Sequence, residues 1–152
     1  MMLKRGFMLA GLFLTTLTAS APWAISQQDA QVPAYNGAPA KDAKLPAILS
    51  KDQLGLDEAS EPFQTHAYEL AAKIPEVIYQ QPCYCYCDRN MGHKSLHSCF
   101  EGTHGARCST CLKELYYSYS MHEKGKTAAQ IRQGILRGEW KQVDLKTAAS
   151  IN

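Results

Sequence analysis

All six cysteines of this 152-residue chain lie between Cys83 and Cys111, and three of them alternate with tyrosines at residues 83–87. In an extended segment, alternate residues face the same side about 6.6 Å apart, whereas a disulfide needs β-carbons roughly 3.5–4.5 Å apart. Neighbouring cysteines of this run therefore do not pair without a kink, and a Cys-x-Cys disulfide would be strained and easily reduced. If the backbone curls, the three sulfurs can converge on a metal ion, for which metal–sulfur bonds of about 2.3 Å are typical.

A second thiol motif, Cys108-Ser-Thr-Cys111, follows at the predicted start of a helix. A helix N-terminus lowers the pKa of a thiol, and both sulfurs would lie on one face, so the motif suits a metal thiolate and a redox thiol equally. Between the two motifs lie Cys99 and the histidines His93 and His97. We therefore expect the two thiol motifs to act together.

Three interpretations of the cysteines remain open. Soft thiolates select Cu(I) or Zn, so the first is a soft-metal site with Cu(I) as the first candidate and Zn as the second. The predicted ligands are Cys83, Cys85, Cys87, Cys99, Cys108, Cys111, His93 and His97. In the second, a dithiol exchanges with a partner protein, and Cys85 or Cys87 is the attacking thiol. In the third, three ordinary disulfides, among 15 possible pairings, stabilise an interaction domain.

No pattern in the chain indicates a catalytic residue. Neither a serine nucleophile elbow nor a zinc-protease motif occurs, and Leu112 follows Cys111 where covalent haem attachment would need histidine. No β-α-β pattern surrounds the Cys-x-x-Cys, which argues against a thioredoxin fold. The sequence therefore favours a binding protein over an enzyme.

The N-terminus has the order of a secretory signal. Lys4 and Arg5 precede an uncharged apolar run at residues 7–17, and Ala24-Ile25-Ser26 offers a cleavage pattern of small residues. The run is shorter than the about 20 residues of a membrane span. We predict a signal peptide at residues 1–26 and an exported protein, periplasmic or extracellular. It would have no substantial membrane association after cleavage, and an N-terminal anchor if cleavage fails.

The charge of the predicted mature chain excludes one class of partner. The whole chain has 16 Lys and Arg against 14 Asp and Glu, and loss of Lys4 and Arg5 with the signal leaves 14 of each sign. A nucleic-acid-binding surface needs an excess of positive charge, so no nucleic acid is expected. The expected partner is an exported metal-handling or redox protein.

The rest of the chain predicts a mostly α fold. Residues 27–57 are rich in Ala, Pro and Gly without a sustained period, which is typical of a flexible linker. Residues 58–145 carry apolar stripes at helical spacing, as in Leu112, Leu115 and Tyr119, and a capping box at Thr127 and Gln130. We predict a small cysteine-rich helical domain with an irregular cysteine loop, in which Trp140 folds back on the core.

Three sequence blocks, in this order, are similar to the exported bacterial proteins of the CYCXC or PCYCGC-motif family, over roughly residues 60–140. The blocks are Pro82-Cys-Tyr-Cys-Tyr-Cys87, Gly92-His-Lys-Ser-Leu-His-Ser-Cys-Phe100 and His104-Gly-Ala-Arg-Cys-Ser-Thr-Cys111. The resemblance implies export, often as a lipoprotein, although no cysteine lies near the predicted cut site. The family also resembles a group with selenocysteine-containing members, which implies reactive sulfur or soft-metal ligation. Tyr86 stands where the family motif has glycine, and we expect it to stiffen the loop.

Overall fold

In the computed structural model, which describes residues 32–57 and 60–151, short helices surround one long central helix. The α-helices are α1 (Pro62–Lys73), α2 (Pro75–Tyr79), α3 (Cys87–Asn90), α4 (Ser109–Glu123), α5 (Ala128–Leu136) and α6 (Leu145–Ala148). Short 3₁₀ helices lie at Lys51–Gln53, Leu96–Phe100, Gly105–Arg107 and Glu139–Gln142. No β-strand occurs in these two ranges, so the prediction of a mostly α domain with an irregular cysteine loop is confirmed.

The central helix is α4, and its apolar stripe forms the middle of the core. Leu112, Leu115, Tyr116 and Tyr119 are all buried, and α1 packs along this face. Burying one leucine side chain contributes about 1.5–3 kcal/mol, so the stripe is the main stabilising feature of the helix. The Tyr116 hydroxyl donates to the carbonyl of Phe63 at 2.8 Å, which also ties α4 to the first turn of α1.

The C-terminal part of the domain packs on α4 around a second apolar cluster. Tyr117, Ile131, Ile135 and Trp140 form this cluster, and Trp140 folds back as predicted. Helix α5 begins with the expected capping box, in which the Thr127 side chain accepts from the backbone of Gln130. Because a capping box satisfies two otherwise unpaired backbone donors, it defines where α5 begins.

The part of the predicted linker that the structure describes, residues 32–57, lies against the helices. The Ala34 N–H donates to the Asp88 carboxylate at 2.9 Å, and the Leu49 N–H donates to the Phe100 carbonyl at 2.9 Å. Leu54 is 1% exposed and belongs to the core. These contacts involve single apolar residues without a period, so the composition alone does not reveal them.

The remaining predictions about the N-terminus are not tested. The predicted signal peptide and residues 27–31 lie outside the described residues, and a domain boundary at residue 58 stays a prediction. Within residues 32–57 and 60–151, no helix has both the length and the apolar character needed to cross a bilayer.

Candidate metal centre

The Cys-Tyr-Cys-Tyr-Cys run is curled rather than extended. The Tyr86 N–H donates to the Cys83 carbonyl at 3.1 Å, and Tyr86 has φ 57° and ψ 30°, in the left-handed region. The turn brings the Sγ atoms of Cys83 and Cys85 to 3.3 Å, half the separation expected in an extended strand. Cys87 then begins α3. The sequence predicted that the sulfurs converge only if the backbone curls. The backbone is curled, and the sulfurs of Cys83 and Cys85 lie close together.

Helix α4 contributes the Cys-x-x-Cys motif to the same place. Cys108 is the N-cap residue, and its Sγ accepts from the Cys111 N–H at 3.5 Å. The Sγ of Cys111 lies 3.4 Å from that of Cys83 and 3.6 Å from that of Cys85. The two thiol motifs thus lie in one cluster, because the first turn of α4 places its thiols beside the cysteine turn.

The segment between the motifs adds a thiol and two imidazoles. Cys99, in the 3₁₀ helix Leu96–Phe100, has its Sγ 3.4 Å from that of Cys87. The Nδ1 atom of His93 lies 3.1 Å from the Cys87 sulfur and 3.4 Å from the Cys99 sulfur. The Nε2 atom of His104 lies 3.7 Å from the Cys85 sulfur. The centre therefore combines six thiols with two histidines.

These eight residues form three overlapping groups, and within each group all ligand atoms lie within 4.8 Å of one another. The four-thiol group is Cys83, Cys85, Cys87 and Cys99. The helix group is Cys85, His104, Cys108 and Cys111. The two-histidine group is Cys87, His93, Cys99 and His104. Each group has the four donors of a tetrahedral thiolate or thiolate–imidazole site.

The sulfur spacing fits ligation better than crosslinking. The shortest distances between sulfurs are 3.3–3.6 Å, against about 2.05 Å in a disulfide, and all six cysteines are free thiols. Two thiolates on one tetrahedral ion lie about 3.8 Å apart when the metal–sulfur bond is about 2.3 Å. The clustered cysteines and histidines can therefore hold a metal ion after small shifts of the side chains.

The centre has a buried side and a half-exposed side. Cys83, Cys87, Cys99 and Cys111 are buried. The half-buried donors are Cys85, Cys108, His93 and His104. The second set gives solvent access to the centre, because at least one of its members belongs to each group.

The close contacts between the thiols lower the pKa of some and raise the pKa of others. Hydrogen bonds from Cys108, and then from Cys111 and Cys83, hold the pKa of the Cys85 thiol far below its usual range. Hydrogen bonds from Cys83 and then Cys99 lower the pKa of Cys87 to about 3. A thiolate that accepts hydrogen bonds is favoured over its protonated form. Cys85 and Cys87, the two redox candidates, are thus the thiols that ionise first.

The pKa values of both α4 thiols are raised overall, although the hydrogen bond from the Cys111 N–H at the start of the helix lowers that of Cys108. The pKa of Cys111 is raised well above its usual range, first by its hydrogen bond to Cys108. For Cys108, the hydrogen bond with Cys111 lowers the pKa, but the contacts with Cys85 and burial outweigh it and raise the pKa. Contacts between thiols in a poorly solvated site therefore outweigh the backbone hydrogen bond at the start of α4.

Glu114 is a buried carboxyl beside the thiols that the sequence did not single out. Its Oε1 atom accepts from the Tyr84 N–H at 2.9 Å, so it attaches the cysteine turn to α4. Burial raises the pKa of Glu114 to about 8, opposed by its hydrogen bond with Cys83. Its position three residues after Cys111 was the available signal, since i and i+3 share a helix face.

The predicted ligands and the observed groups differ in one histidine. All six cysteines and His93 belong to the groups, whereas His97 belongs to none of them. His97 is buried, with its Nδ1 atom 2.8 Å from Glu101 Oε1 and its ring edge-on to Tyr79. The second imidazole is that of His104, which the predicted set omits. Its place four residues before Cys108 was the signal for it.

The left-handed conformation of Tyr86 predicts an unusual order of substitutions. Tyr86→Val and Tyr86→Gly both remove the ring, which packs on Tyr84 and under Arg89. A β-branched residue is strained at positive φ and glycine is not. The valine variant should therefore be less stable than the glycine variant by about 1–2 kcal/mol. Denaturant unfolding of the reduced, metal-free protein measures this difference.

The same pair of substitutions at Tyr84 is the control. Tyr86 is the one non-glycine residue with positive φ in the described ranges, so Tyr84 lacks the strain. There the glycine variant should be the less stable of the two, because glycine loses more backbone entropy on folding. The same order at both positions would contradict the assignment of strain to Tyr86.

The raised pKa of Glu114 predicts a pH-dependent stability. The native carboxyl titrates near pH 8 and the unfolded one near its ordinary value of 4.5. Its contribution to the stability of the reduced, metal-free protein is therefore complete below about pH 4.5 and is lost as the pH rises to about 8. The wild-type protein should lose on the order of a few kcal/mol relative to Glu114→Gln across this window. The free energies of unfolding of both proteins are measured with denaturant at pH 5, 6.5 and 8. An equal pH dependence in the two proteins would refute the assignment to Glu114.

Comparison with known proteins places the chain in a family and gives no activity. No curated protein matches the chain, and no solved structure matches it. Residues 41–143 match the family described as a protein of unknown function with a PCYCGC motif. The match begins inside the predicted linker and contains all eight residues of the three groups. The chain is therefore a member of the PCYCGC-motif family, as its three sequence blocks predicted.

Proposed function

We propose that this protein is an exported soft-metal-binding protein, with Cu(I) as the preferred ion and Zn as the second candidate. The observation that carries the proposal is the convergence of six free thiols and two imidazoles into groups whose ligand atoms lie within 4.8 Å of one another. Three separate pairs of sulfurs would have favoured structural disulfides instead.

The choice of ion follows from the donor types. The three groups contain only thiolate and imidazole donors, and thiolate ligands select Cu(I) and Zn over hard ions such as Mg²⁺ and Ca²⁺. Cu(I) is placed first because the thiols outnumber the imidazoles. Zinc suits the same tetrahedral groups.

A role in holding or passing on metal agrees with the exposure of the site. Ions can reach the half-buried sulfurs of Cys85 and Cys108, whereas the sulfurs behind them are buried. A partner that supplies or accepts the ion would do so through these two thiols by ligand exchange. The proposed partner is a metal-handling protein of the same exported compartment.

Metal binding should be visible as stabilisation. At a free-ion concentration 100 times Kd, one site contributes about 2.7 kcal/mol. For a domain of this size, that shifts Tm by on the order of 10 °C. We expect this shift when Cu(I) or Zn is added to the reduced, anaerobic protein. The Cys85→Ser variant should lose most of it, since Cys85 belongs to two of the groups.

Exposed residues of α4 supply the control for this experiment. His122 is exposed and belongs to none of the groups, so His122→Ala should keep the full shift. Protein isolated anaerobically from the exported fraction should also carry metal. Substoichiometric metal, together with no gain in Tm from either ion, would reject the proposal.

A thiol–disulfide exchange protein is the second candidate, favoured by the lowered pKa of Cys85 and Cys87. The thiolate would attack a partner's disulfide, and a neighbouring thiol would then displace the partner as a dithiol. Cys83 lies 3.3 Å from Cys85, and Cys99 lies 3.4 Å from Cys87, so both have a neighbour for this second step. The two electrons pass to the partner, and an intramolecular disulfide remains.

This candidate predicts selective alkylation. At pH 6, iodoacetamide should modify Cys85 of the reduced, metal-free protein before the other cysteines, at least tenfold faster than an ordinary thiol. The reasons are its thiolate character and its half-exposed position. Peptide mass spectrometry identifies the site, and Cys85→Ser is the control. Uniform alkylation, or disulfides that resist a full glutathione series, would reject the redox function.

A further inference from the structure

We propose that the centre is polynuclear: it holds two or three soft ions at once, joined by bridging thiolates. This inference rests on the proposed metal-binding function and adds the number and connection of the ions. It follows from the overlap of the three groups, which is a property of the folded chain.

The overlap is extensive. Four residues belong to two groups each: Cys85, Cys87, Cys99 and His104. The remaining four residues belong to one group each. Because every pair of groups shares at least one residue, no two groups consist of entirely separate donors. Three ions in these groups would therefore have to share ligands, and a single ion would leave half of the clustered donors unused.

The shared residues are mostly of the type that can bridge. A thiolate has three lone pairs on one sulfur and can bind two ions, whereas a neutral imidazole has one available lone pair, on its unprotonated nitrogen. Cys85, Cys87 and Cys99 can therefore bridge. His104 supplies a terminal ligand to one ion at a time. If that ion lies in the helix group, the two-histidine group retains Cys87, His93 and Cys99, and three donors suffice for trigonal copper.

The shared residues determine how the ions would be connected. The four-thiol and two-histidine groups share Cys87 and Cys99, whose sulfurs are 3.4 Å apart, as in a pair of ions joined by two thiolates. The helix group connects to the four-thiol group through Cys85 alone. The arrangement is an open chain of up to three ions, with the four-thiol group in the middle.

Charge favours the same result. Six thiolates around one ion would leave several negative charges in a largely buried site, and an uncompensated buried charge is costly. Each additional cation neutralises more of that charge, and a bridging thiolate is stabilised by two ions. Cys83, Cys87, Cys99 and Cys111 are buried, so this effect acts on most of the sulfurs.

Native mass spectrometry of the reduced full chain, titrated anaerobically with Cu(I), counts the ions directly. We expect two or three Cu(I) per chain at saturation. X-ray absorption of the saturated sample should show a copper–copper scattering path. One ion per chain without that path would overturn this proposal and leave the proposed function intact. No bound ion would overturn both.

Two variants test how the ions are distributed. Cys108→Ser combined with Cys111→Ser leaves the helix group with two donors. His93→Ala combined with His104→Ala leaves the two-histidine group with two donors, while the helix group keeps three thiols. With a competing Cu(I) chelator present, each pair of substitutions should lower the count by one ion, and the variant that carries both pairs should lower it by two. His122→Ala should retain the wild-type count. Circular dichroism identifies folded variants, and if either fails to fold, the wild-type ion count and scattering path decide the proposal. A single shared ion, weakened by both pairs of substitutions, would contradict it.

Discussion

The hydrogen bond from the Tyr84 N–H to the buried carboxyl of Glu114 joins the cysteine turn to the central helix, and the clustering of the candidate metal ligands depends on this attachment. Glu114 lies one helical turn from Cys111, so the turn is attached beside the thiols that it must meet. The packing against α1 holds α4 in position. Through Glu114, α4 in turn holds the cysteine turn of residues 83–87 in position. A hydrogen bond between a backbone N–H and a side chain 30 residues away thereby holds the sulfurs of residues 83–87 beside those of Cys108 and Cys111.

The crowding of the thiols has a cost in the metal-free protein. Cys85 and Cys87 favour the thiolate while Cys83 and Cys111 favour the thiol, so protons are shared unevenly across a few ångströms. The neighbouring Glu114 favours its neutral form mainly because it is buried, and the negative charges of Cys85 and Cys87 add to this effect. A bound cation removes this uneven protonation of the thiols, because it favours the ionised form of every thiol that it contacts. Folding and metal loading should therefore be coupled.

Much of the helical framework could be predicted, because the information is local. The stripe of Leu112, Leu115 and Tyr119 indicated α4, and Thr127 indicated the start of α5. The contacts of residues 32–57 could not be predicted, because single apolar residues such as Leu54 bury themselves only against surfaces that other elements create. His97 and His104 illustrate the same limit. Both lie near cysteines in the sequence, and only the chain path brings His104 to the sulfurs and turns His97 toward Glu101.

By itself, the sequence determined the family, the mostly α fold class and the thiol-rich composition of the candidate centre. Residue identity and spacing decide these properties: six thiols within residues 83–111, a Cys-x-Cys-x-Cys run that disfavours disulfides between neighbours, and helical stripes around it. The tertiary structure alone decided which donors share a site, which thiols ionise first and which side of the centre is open. These properties depend on distances between residues far apart in the chain, on burial and on a left-handed turn at Tyr86, and none of them is encoded in local spacing.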